Sequence, residues 1–257
     1  MTANAETVSD PDAGHEVPRG PVVARPHWAW RVEPSSVTLK LVMAGTGIVF
    51  ALFVLVHMIG NLKVYTGAQH FDDYAVWLRT LLEPLLPYEG ALWIFRVVLA
   101  ICLIAHVGCA VLLTRRAHVA RGRFRRRGLG LRSFTARTML VSGLVLLLFI
   151  VFHILDLTVG TRPFASASFA GATESTSHAY DNLIASFSRP GVAVFYLLAM
   201  AVLGAHLLHG LWTAVNDLGV TGARARQVGV VLGGALALAV MLGNMTIPIA
   251  VWTGLVS

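Results

Sequence analysis

The sequence predicts an all-α integral membrane protein with five spanning helices, and three observations carry that prediction. Of 257 residues, 56% are hydrophobic and only 13% charged, about half the roughly 25% charged fraction of a soluble domain. The mean hydropathy is +0.71. Five apolar runs cover about 41–60, 91–113, 138–158, 191–215 and 228–253, each close to the roughly 20 residues that a bilayer crossing takes. These runs are too long for barrel strands, and an open sheet has no place in lipid. The same composition excludes a disordered chain, a coiled coil and a nucleic-acid binder, despite a net charge of +7.

Residues 1–34 are polar and rich in proline and acidic residues, and they lack an apolar h-region. A largely flexible cytoplasmic tail is expected there rather than a cleavable signal peptide, followed by one membrane domain over 35–257. Cys102 and Cys109 lie in a single apolar run and act as small buried residues, since their spacing suits neither a disulfide framework nor a zinc site. Basic residues set the orientation. Fifteen lie in the tail and in the second and fourth connections, nine of them between Arg115 and Arg137; five lie on the other side, Lys63, Arg79, Arg96, Arg162 and Arg189. The N-terminus is therefore expected inside, and the basic face also offers a surface to anionic lipid or a docking partner. Of the connections on the outer side, 68–82 reads as an amphipathic interfacial helix and 178–187 as a weaker copy of it.

The two halves of the chain resemble each other. The first span ends Val-Leu-Val-His57 and the third Ile-Val-Phe-His153, while the second carries Ala105-His106 and the fourth Ala205-His206. Counted at 1.5 Å per residue, His57 and His153 lie roughly 23 Å from the inner boundary, and His106 and His206 roughly 10–14 Å from it. Four ionisable side chains at two matched depths signal function. Neutral imidazoles are the usual nitrogen ligands of haem iron, and two from opposite helices fill both axial positions. The expected architecture is thus a bundle enclosing two stacked haems b, one held by His57 and His153 near the outer face, the other by His106 and His206 near the inner face. Gly45, Gly47, Gly108, Gly143, Gly204 and Gly210 supply small residues beside such groups. His209, about 60° around the helix from His206, suits a propionate hydrogen bond or a supporting contact. His15, His27 and His118 read as solvated, and His70 and His178 as surface histidines or quinone contacts in equal measure.

With Val56-His57-Met58-Ile59-Gly60-Asn61, Ile104-Ala105-His106, Phe152-His153 and His206-Leu207-Leu208-His209-Gly210-Leu211-Trp212, the chain resembles the di-haem cytochrome b membrane anchor of succinate dehydrogenases and fumarate reductases over nearly all of 36–253. The resemblance implies an electron-transfer and quinone-reactive subunit of a succinate:quinone oxidoreductase in a bacterial cytoplasmic membrane. It also implies an iron–sulfur subunit on the cytoplasmic side, with the flavoprotein carried on it and succinate chemistry left to these partners. In one respect the chain departs from some relatives, which carry a glutamate where Gly204 stands. A quinone, menaquinone or ubiquinone, could draw on Asp72, Asp73, Tyr74, Trp77, Arg79 and Glu83 at the outer face, or on Trp28, Trp30, Ser35, Ser36 and His209 at the inner. Candidate propionate partners are Arg132, Ser133 and Arg137 inside, and Lys63 and Arg162 outside. The histidines alone also admit the cytochrome b anchor of another quinone-linked dehydrogenase, or a haem-free transporter with a histidine relay.

The charge asymmetry makes a testable statement about topology. Single cysteines at positions 122 and 170, probed in intact cells with an impermeant maleimide, should be labelled at 170 only. Labelling at 122 instead would invert the bundle.

Overall fold

The computed structural model describes residues 34–121 and 131–257, the side chains of 121 and 131–137 excepted. Among the described residues there are seven α-helices: α1 (Ser36–Asn61), α2 (Ala68–Arg79), α3 (Gly90–Arg121), α4 (Leu131–His153), α5 (Ala179–Phe187), α6 (Pro190–Asp217) and α7 (Ala223–Trp252). There is no strand among the described residues. Five helical stretches are long and apolar enough to cross a membrane: Ser36–Thr66, Gly90–Ala120, Thr138–Val159, Pro190–Asp217 and Ala223–Trp252. Most reach beyond the apolar runs, because backbone hydrogen bonding continues past the point where side chains turn polar. Their outward faces are rich in exposed Ile, Leu, Val and Phe, such as Ile94, Phe95, Ile101 and Ile104 on α3. That is the surface a multi-pass membrane protein gives to lipid.

Local chemistry fixes the helix ends. Ser35 caps α1, its hydroxyl accepting from the Thr38 amide at 3.0 Å. Pro190 opens α6 at its first turn, where a missing N–H costs nothing. A 3-10 turn (Leu62–Thr66) follows α1 and ends at Gly67, whose φ of 99° reverses the chain. In the second half a π-helical turn (Ile154–Val159) follows α4 and ends at Gly160, with φ of 74°. Each half is therefore a long helix, an irregular turn, a short helix and a second long helix. The internal repeat seen in the sequence is a repeat of architecture.

Helix α3 packs on α1, α4 packs on α6, and α1 and α6 pack on each other. The short helices α2 and α5 meet across one end of the bundle, the capped end. The Asp72 carboxylate accepts from the Tyr180 amide at 3.0 Å there, and the Phe71 and Tyr180 rings meet edge to face. Of the two, α5 is the more deeply set, burying Tyr180, Asn182, Leu183, Ser186 and Phe187 where α2 buries only Phe71. The sequence suggested a weaker copy of α2 over 178–187; a helix lies there, and its buried face joins the apolar core with Val64, Phe71, Phe149, Tyr196, Met200 and Ile247.

Helix α7 carries no histidine and braces α6 and α1. Glycines set that approach. A Cβ on Gly204 would lie 2.6 Å from Met241 Sδ and 3.0 Å from its Cβ, and one on Gly233 would lie 3.0 Å from Leu211 Cβ. Small residues at such contacts let helix backbones close in lipid, where no hydrophobic force drives them together. Gly204 thus has no room for any side chain. Gly204→Ala should destabilise the protein by about 1–3 kcal/mol through overpacking. Gly108→Ala, at a glycine with open space beside it, should not. Thermal unfolding of both variants in detergent, followed by circular dichroism, checks the contrast.

Candidate functional site

Four histidines on four helices converge in two pairs. His57 of α1 and His153 of α4 face each other, ring centres 5.8 Å apart and planes at 86°. His106 of α3 and His206 of α6 lie within electrostatic reach of one another. The second pair sits at a different level, fixed by its neighbours. The His106 Nδ1 is 3.1 Å from the Thr46 hydroxyl of α1, and the His206 Nδ1 is 2.9 Å from the Ser142 hydroxyl of α4. Thr46 precedes His57 by eleven residues and Ser142 precedes His153 by eleven, so the levels are about 16 Å apart along the helices.

Those hydroxyls decide which ring nitrogen is free. Each has a single hydrogen. The Thr46 hydroxyl spends it on the Val42 carbonyl at 2.8 Å or the Met43 carbonyl at 3.1 Å, and the Ser142 hydroxyl on the Met139 carbonyl at 3.0 Å. With its hydrogen on the carbonyl each hydroxyl accepts from the imidazole, the arrangement that puts hydrogen on Nδ1 and leaves the Nε2 lone pair free. His153 is held by the same logic. Its Nδ1 is 3.3 Å from the Tyr196 hydroxyl, whose own hydrogen goes to Asp156 Oδ2 at 3.0 Å. A histidine whose Nδ1–H is engaged presents Nε2 to a metal, the arrangement that orients histidine ligands in general.

His57 is exposed, and the other three rings are half-buried. A Cβ on Gly47 would sit 3.4 Å from His106 Cε1, and one on Gly143 would sit 3.7 Å from His206 Cε1. Phe53 stacks on His57 at 5.5 Å and Phe149 lies against His153 at 5.7 Å, each one turn before its histidine. Aligning Thr46–His57 with Ser142–His153 gives one twelve-residue template, with a hydroxyl, glycine, phenylalanine and histidine at matching positions. Of the six glycines singled out in the sequence, Gly47 and Gly143 face imidazoles, Gly204 packs on α7, and Gly45, Gly108 and Gly210 have nothing within 4 Å.

A second polar cluster lies beside His153. Asp156, on the π-helical turn, is only 1% exposed. It accepts from Ser186 Oγ at 2.5 Å, from Tyr196 at 3.0 Å and from Arg189 Nη2 at 2.6 Å. Arg189 also donates to the Phe164 carbonyl at 2.6 Å. Sequence reasoning missed Asp156, Tyr196, Thr46 and Ser142. An aspartate inside an apolar run was the available signal for the first; the repeat register was the signal for the two hydroxyls.

The remaining sequence candidates scatter. Tyr74 packs on Gly60, just beyond His57, with Trp77 stacked on it at 5.8 Å and Lys63 Nζ 5.2 Å from its ring centre. Arg79 Nε pairs with Glu89 Oε1 at 3.2 Å, and Glu89 also accepts from Arg96 at 2.9 Å. Asp72 is tied to α5, while Asp73 and Glu83 are exposed. Arg162 donates to the Ala167 carbonyl in its own loop at 3.0 Å. His209 lies against Trp212, ring centres 5.9 Å apart. Ser35 and Ser36 sit at the start of α1, Ser36 accepting from Arg116 at 3.2 Å. The side chains of Arg132, Ser133 and Arg137, the tail with Trp28 and Trp30, and the basic stretch 122–130 lie outside the described residues.

Removing the buried carboxylate should be costly, because it leaves Arg189 and Tyr196 without their acceptor. Asp156→Ala should lower stability by about 3 kcal/mol and Ser186→Ala by about 1 kcal/mol, ranked by thermal unfolding in detergent. No family model, curated protein or solved structure matches the chain.

Proposed function

We propose that the chain is the membrane anchor and electron-transfer subunit of a succinate:quinone oxidoreductase, holding two b haems between paired histidines. The observation that carries the haem reading is the pair of histidine levels, with Nδ1 of three of the four histidines committed to a hydroxyl so that Nε2 is free. The residues fit the group. His57 and His153, whose ring centres are 5.8 Å apart, would hold one haem, and His106 and His206 would hold the other. Only two protein ligands per iron are needed, so the absence of any cluster of three or more His, Cys, Asp or Glu among the described residues is in keeping with it. Bound there, haem b would supply one-electron oxidation and reduction.

The chain's own side chains do the positioning. Thr46 and Ser142 orient His106 and His206, Tyr196 orients His153, and Phe53 and Phe149 wall the His57–His153 pair. The succinate assignment rests on the resemblance carried by the segments around His57, His106, His153 and His206. In that reading the basic face meets the iron–sulfur subunit in the bacterial cytoplasm, with the flavoprotein beyond it, and the capped end faces outward. Quinone then reacts near Tyr74 and Trp77, beside Lys63 and one turn beyond His57, with exposed Asp73 and Glu83 linking the site to water. Asp72 and Arg79 are engaged elsewhere and serve the cap.

Pyridine haemochrome assay of the purified protein should return about two haems b per chain, two axial imidazoles serving each. A value near zero would leave the histidines to a haem-free relay. His57→Ala and His153→Ala should remove one potential component, His106→Ala and His206→Ala the other, and His209→Ala neither. Loss of the same component from His57→Ala and His106→Ala would overturn the pairing. Co-purification of a succinate-oxidising flavoprotein tests the complex, and a different dehydrogenase in its place would reassign the partner.

A further inference from the structure

The four histidines are not held alike. At His106 and His206 the accepting hydroxyl passes its hydrogen to a neutral backbone carbonyl. At His153 the accepting hydroxyl belongs to Tyr196 and passes its hydrogen to Asp156, a buried side chain that takes three donors, one of them the Arg189 guanidinium at 2.6 Å. Oδ2 takes the Ser186 and Tyr196 hydroxyls, and Oδ1 is ion-paired with the Arg189 guanidinium at 2.6 Å. A phenol that donates to a carboxylate carries more negative charge on its oxygen and is a stronger acceptor than a serine or threonine hydroxyl. His57 has Phe53 stacked on it and, among the described residues, no hydrogen bond to its ring.

We infer that Tyr196 and Asp156 are positioning residues that make His153 the most electron-donating of the four imidazoles and so depress the reduction potential of the His57–His153 haem. This rests on the haem reading above and concerns its regulation. Donation of Nδ1–H toward a charged partner gives the ring imidazolate character and raises its basicity toward metal. A more basic axial ligand favours the ferric over the ferrous state, and hydrogen bonding around the ligands is one of the levers that set a haem potential. Arg189 leaves the cluster as a whole close to neutral, but it binds Oδ1 of Asp156 while Tyr196 donates to Oδ2. The influence on the haem is therefore carried through the hydrogen-bond chain. The π-helical turn contributes by housing Asp156 three residues after the histidine it influences.

The test is potentiometric titration of the purified complex, each component assigned by its loss in His57→Ala or His106→Ala. Tyr196→Phe keeps the ring among Phe149, Phe152, Phe187 and Phe195 and removes only the hydroxyl that links His153 to Asp156. It should shift the reduction equilibrium of the His57–His153 component about tenfold toward the reduced form, about 59 mV for one electron, with the other component and the haem count unchanged. Asp156→Asn, which keeps the shape but removes the charge, should shift the same component in the same direction. Ser142→Ala should spare that component. No shift in either variant, an equal shift of both components, or loss of the haem from Tyr196→Phe would overturn the inference. Absence of haem from the unsubstituted protein would instead sink the reading on which it rests.

Discussion

Inside a bilayer each buried polar group must find its partner within the protein, because no water is there to replace it. The placement of this chain's histidines follows from that constraint. An imidazole carries two nitrogens, and at His106, His153 and His206 one of them is satisfied by a side-chain hydroxyl already bonded to something else. The hydroxyl's single hydrogen sets the tautomer, and the tautomer sets which nitrogen is free. A Val at position 46 or an Ala at position 142 would preserve the helix and lose that control.

The two halves use one template and then diverge. From hydroxyl to histidine, Thr46–His57 and Ser142–His153 match in length and in the positions of glycine and phenylalanine. Beyond the histidine the first half makes a 3-10 turn and the second a π-helical turn. The first turn leads to Tyr74 packed on Gly60 under Lys63, while the second buries Asp156 with Ser186, Tyr196 and Arg189. A pseudo-symmetric scaffold thereby gives its two levels different polar surroundings. Symmetry fixes where the pairs lie; the turns decide what each pair feels.

Of the helices bearing the histidines, α1 and α6 are held on one side by close contacts with α7. Gly204 against Met241, Gly233 against Leu211 and Gly243 against Met58 bring α7 close to α6 and α1. Helix α3 has only α1 as an extensive neighbour among the spanning helices. A brace without functional side chains lets the remaining four helices hold register. The cap of α2 and α5 closes the same end of the bundle at which Tyr196 and Asp156 are buried.

Much of this was legible in the amino-acid order. The five helices follow from the length of the apolar runs, since lipid admits little else. The histidine levels follow from a fixed rise per residue along helices of alternating direction. The sequence could not say that Gly204 is closed by Met241, that α5 is set more deeply than α2, or that Arg79 is committed to Glu89. Nor could it join Tyr196 to Asp156 and His153, residues from separate helices and a turn. Periodicity along one helix reports which face is apolar, and says nothing of which residue on another helix that face will meet. Helix lengths and levels are properties of a single segment, and the sequence by itself determined them. Hydrogen-bond partners and close glycine contacts depend on the rotation and approach of helices distant in the chain, and only the tertiary structure decided those.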